Sequence, residues 1–190
     1  TFTRECFMSY PDNVMVMRLT SDSKKGKLSR IISLESLHTD KTITADSHTI
    51  TMTGYPTPVS GDKRVGDAWK NGLKYAQQLV VKNKGGKISV VDGTKLKVED
   101  ADEIIVLMSA ATNYVQCMDD SYNYFSQEDP LEKVQATLHK VADKKYTALL
   151  ATHQKDYHSL YDRMRLNLGN LPEAPVAPTD SLLKGMEENT

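Results

Sequence analysis

The side chains able to do chemistry are five histidines, two cysteines and 25 acids spread through 190 residues. Catalysis needs several of them to converge, as a base against a nucleophile or an acid across a bond from a base. Their spacing offers little of this. His153 and His158 are five apart, so on a helix they share no face well enough to chelate a metal. His38, His48 and His139 are scattered elsewhere. His153, Asp156 and Tyr157 fall close together on one helical stretch, where a hydrogen-bonded packing group is the more economical reading. Asp119-Asp120 with Glu128-Asp129 misses the ligand pattern of a calcium loop and reads as a solvated acidic loop. Gly85-Gly86 separates two strands instead of opening a helix, so it is no phosphate loop. Neither Gly-x-Ser-x-Gly nor His-Glu-x-x-His occurs. Cys6 and Cys117 are too few for a disulfide framework and fit no zinc spacing. Cys6, beside Phe7, reads as a buried small hydrophobe, and a bridge to Cys117 stays open. The residues indicate no catalytic group, no cofactor and no metal.

Aromatic side chains are the remaining candidates. Trp69, the only tryptophan, lies in the irregular stretch 54–72, and Tyr114 leads a group with Tyr122 and Tyr124. An aromatic face can stack on a sugar ring or a partner. The structural alternatives are a loop anchor for Trp69 and a layer contact for the tyrosines. Trp69 and Tyr114 are the candidate sugar or partner contacts.

The elements that must position them begin with a hairpin. Pro11 presets φ for a turn, Asp12 suits the next position, and Asn13 tolerates a left-handed backbone. This predicts a three-residue hairpin loop. Val14 to Leu19 is apolar on both faces up to Arg18, as a strand covered on both sides requires. Ile50 and Met52 alternate with Thr49, Thr51 and Thr53, a strand with one wet face. Asp92-Gly93 between two alternating runs is a strong hairpin signal. Glu103 to Ala111 is almost wholly apolar and therefore central. Eight or nine short strands without a convincing helix predict an antiparallel β-sandwich.

The pattern changes at Asp129-Pro130. Asp129 is a good N-cap, Pro130 fits the first turn, and Leu131, Val134, Leu138 and Val141 recur at helical spacing. A second helical face carries Tyr146, Leu149, Leu150, His153, Tyr157, Leu160 and Met164, with Gly169 as its expected C-terminal cap. Three prolines within 171–178 make an extended linker, and Thr179-Asp180-Ser181 starts a further helix. The division expected is a sandwich over 1–128, linker helices over 129–170, and an extended linker with a helical start over 171–190. The fold class is mainly β with C-terminal helices, an antiparallel β-sandwich followed by a helical linker.

Lys and Arg number 24 against 25 Asp and Glu, so no basic excess marks a nucleic-acid footprint. No apolar run approaches the length needed to span a bilayer. Neither nucleic acid nor membrane is expected as a partner, and no signal peptide is legible at the amino terminus.

Arg4-Glu5-Cys6-Phe7-Met8-Ser9-Tyr10-Pro11-Asp12-Asn13, running on through Thr20, resembles a segment of the amino-terminal domain of glycoside hydrolase family 95, the α-L-fucosidases. Gly72-Leu73-Lys74-Tyr75, Asp100 to Glu103, Leu107 to Tyr114, Asp129-Pro130, the residues from Tyr146 to Gly169 and Pro178-Thr179-Asp180 continue the likeness in order. Cys6 and Lys145 depart from the family's usual residues. The resemblance implies a supersandwich-like β domain joined by linker helices to an (α/α)₆ barrel. That barrel would hydrolyse terminal α-L-fucosides with inversion, placing an acid and a base on opposite faces of the sugar. Its carboxylates would lie outside this chain. The partners implied are the chain's own catalytic barrel and, through it, a fucosylated glycan; the compartment implied is secreted or periplasmic. A free-standing carbohydrate-binding or protein-interaction module is the alternative.

Overall fold

A computed structural model describes residues 1–22, 27–56, 72–116, 124–167, 169 and 178–187. Within them lie nine strands: β1 (Phe2–Ser9), β2 (Val14–Ser21), β3 (Leu28–Ile32), β4 (Lys41–Asp46), β5 (Thr49–Gly54), β6 (Tyr75–Lys84), β7 (Lys87–Val91), β8 (Lys95–Ala101) and β9 (Glu103–Thr112). Three helices follow: α1 (Pro130–Val141), α2 (Tyr146–Tyr161) and α3 (Thr179–Glu187). The chain separates into two compact units, Thr1–His158 and Ser159–Thr190.

The larger unit is built on a six-stranded sheet of order β1-β2-β9-β6-β5-β4 and a three-stranded sheet of order β3-β8-β7. Every pairing is antiparallel. Turn chemistry sets the hairpins. Asn13 adopts φ 52° and its N–H donates to the Tyr10 carbonyl at 3.1 Å. The loop from Tyr10 to Asn13 has four residues, one more than the turn residues predict, because Ser9 still pairs with Val14. Asp92 and Gly93 both have positive φ, as the type I′ turn of β7–β8 demands. Gly86, at φ 65°, leaves no room for a side chain, since a Cβ there would lie 2.7 Å from the Ala101 nitrogen.

Strand alternation divides the apolar residues between two cores. From β9, Ile104 and Val106 point toward the small sheet, where they meet Ile50, Leu79, Val81, Leu28, Leu96 and Val98. Leu107 points the other way and packs with Val14, Val16 and Ala76 beneath Val134, Leu138 and Val141 of α1. Met17 and Leu19 of β2 complete the sheet-to-sheet side. The sequence of β2 is apolar on both faces because one face meets a sheet and the other a helix. Each fully buried aliphatic side chain contributes about 1.5–3 kcal/mol relative to exposure.

Three expectations need correction. Cys6 is exposed. It sits on terminal strand β1, opposite Met17 in register, on the face toward the smaller sheet. Three strands facing six leave that margin uncovered, and Phe2 and Met8 beside it are exposed too. The second helix ends at Tyr161, so Met164 and Gly169 lie beyond it and Gly169 is not its cap. Only Leu149 of α2 is buried; Tyr157 and Leu160 are exposed. The helix meets the sheet only through its first turns.

Candidate functional site

The described candidate, Tyr114, stands two residues past Thr112, the last of β9, at the end of the large sheet where β6 begins. Trp69, Tyr122 and Cys117 lie outside the described residues. Tyr114 is 53% exposed and its ring lies nearly parallel to that of Tyr124, with centroids 6.1 Å apart. Its backbone bridges to Phe125, and the Phe125 ring covers Gly72. Asn113 supports this corner. Its side chain is almost wholly buried, accepts from the Lys74 N–H at 2.7 Å and donates to the carbonyls of Gly72 at 3.1 Å and Ser126 at 3.3 Å. One amide thereby ties together three segments distant in sequence, a role that sequence spacing alone does not signal.

At the same end of the sheet a cleft of about 150 Å³ is lined by Asp40, Thr42, Thr53, Lys74, Tyr75 and Asp129 among others. Two carboxylates, an ammonium and hydroxyls can exchange hydrogen bonds with a polyol. Asp129 is already engaged, since its carboxylate accepts from the Leu131 N–H at 2.9 Å and caps α1. Among the described residues no group of three or more His, Cys, Asp or Glu is placed to hold a metal ion. No described helix is long and apolar enough to cross a membrane.

Several other ionisable groups of the larger unit hold elements together. Arg18 on β2 bonds Glu103 on β9 at 2.6 Å and Glu5 on β1 at 3.1 Å, while its guanidinium lies 4.8 Å from the Tyr146 ring centroid at the start of α2. The bond to Glu103 is the main reason the guanidinium is held charged even more firmly than usual. Burial first, then the negative charge of Glu5, pushes the Tyr146 phenol up; its hydroxyl is buried and makes no hydrogen bond of ordinary geometry. The Lys82 ammonium donates to the Ala142 carbonyl just past the end of α1, where the helix dipole favours a cation. Asp12 in the first hairpin loop, with a side chain 3% exposed, accepts from Lys144 at 2.6 Å and Ser9 at 2.7 Å. His153 stacks on Phe7 with centroids 5.0 Å apart. It is a packing residue, as its place on the apolar face of the helix predicts.

Comparison with known proteins bears on this arrangement. Probable alpha-fucosidase A of Aspergillus niger is 28% identical over 191 residues, covering 97% of this chain and 23% of that protein. Alpha-L-fucosidase 2 of Arabidopsis thaliana is 32% identical over 181 residues, covering 88% of this chain and 21% of that protein. The chain therefore spans less than a quarter of the length of the curated relatives it matches. Both names agree with the α-L-fucosidase resemblance carried by the opening hairpin. A family model described as the glycosyl hydrolase family 65 N-terminal domain matches residues 1–117, a range that takes in every strand of both sheets. A two-sheet β domain followed by helices, matched across all its strands, belongs to that family: this chain is a member of the glycosyl hydrolase family 65 N-terminal domain family.

Proposed function

We propose that this chain is the non-catalytic sandwich-and-linker part of an α-L-fucosidase-like glycoside hydrolase of family 95. Residues 1–128 act as a platform and 129–170 as linker helices, with 171–190 leading into a catalytic (α/α)₆ barrel. The parent enzyme would release terminal α-L-fucose from glycans with inversion. The observation carrying this reading is coverage: the likeness to α-fucosidases runs through 97% and 88% of the chain yet uses under a quarter of theirs. Four ionisable groups support it: Arg18, Glu103 and Asp12 are committed to joining structural elements, and Asp129 to capping α1. The partners of this platform would be the barrel and, through it, a fucosylated glycan, with no nucleic acid or membrane involved.

A second reading, a carbohydrate-binding module, is favoured by the exposed Tyr114, stacked on the half-buried Tyr124, at the same end of the sheet as a polar cleft. A glycan array separates the two. The platform predicts a blank array for the chain. A fucoside signal abolished in both Tyr114→Ala and Trp69→Ala would replace it with the module.

A further inference from the structure

We draw no further inference here: the strongest candidate, the cavity between the large sheet and the start of α2 lined by Lys82, Glu103, Lys144, Lys145, Tyr146 and Leu149 among others, carries nothing, because Lys82 and Lys144 are already engaged by the Ala142 carbonyl and Asp12 and nothing in the structure shows what covers it.

Discussion

Asp12 shows how one side chain in a turn can be a structural tie. Burial by itself would raise its carboxyl, yet the hydrogen bonds from Lys144 and Ser9 outweigh that and hold it below the usual 3.8. A lowered folded-state value means the tie is fully present above the unfolded value and is lost as pH falls through the folded one. Asp12→Asn should therefore destabilise the chain near neutral pH, and its deficit against the parent should shrink below about pH 4. Urea denaturation across a pH series measures this; a deficit that does not change with pH would contradict it. Asn113 is a second such residue. Asn113→Ala leaves the Lys74 N–H without its acceptor and should cost about 1–3 kcal/mol, read from denaturant midpoints. Neither role was legible in the sequence. Asp12 reads there as turn chemistry, and the partners, Lys144 and Lys74, stand 132 and 39 residues away. Turn propensity is local, whereas these ties exist only after the sheet and helices have docked.

The elements were legible where their signals are local. Left-handed Asn13 and Asp92-Gly93 announced two hairpins, and alternation in β5 and the doubly apolar β9 announced which faces are covered. Asp129 announced the start of α1, and its side chain does cap it. Asp129→Ala should cost about 1 kcal/mol of stability, and Leu138→Ala, which empties a site 3% exposed between α1 and the sheet, about 2–5 kcal/mol. Thermal or denaturant unfolding monitored by circular dichroism tests both, and an equal loss for the two would argue against the packing described. The second helix was misjudged because helical spacing continues after contact with the sheet ends. A stripe of apolar residues shows which face a helix would bury, but burial needs something to lie against. Cys6 was misplaced for a related reason, since its exposure follows from strand order and from the unequal width of the two sheets.

For the whole molecule, two cores share one six-stranded sheet, with a small sheet on one face and the start of a helical layer on the other. That fold class followed from strand spacing, and the likeness to α-L-fucosidases from the opening hairpin; the order β1-β2-β9-β6-β5-β4 did not follow, because it joins strands far apart in the chain. Of the candidate site, the tyrosine pair was visible as a cluster of residue types. The cleft beside it was not, because its lining comes from four separate segments. The reading of the chain as a platform is tested most directly by incubating it with a nitrophenyl α-L-fucoside and following release of nitrophenol. The platform account predicts no release above the rate without protein. Turnover that survives purification and disappears in Asp40→Asn or Asp129→Asn would contradict it, because the acids of the cleft would then be doing the chemistry assigned to the barrel.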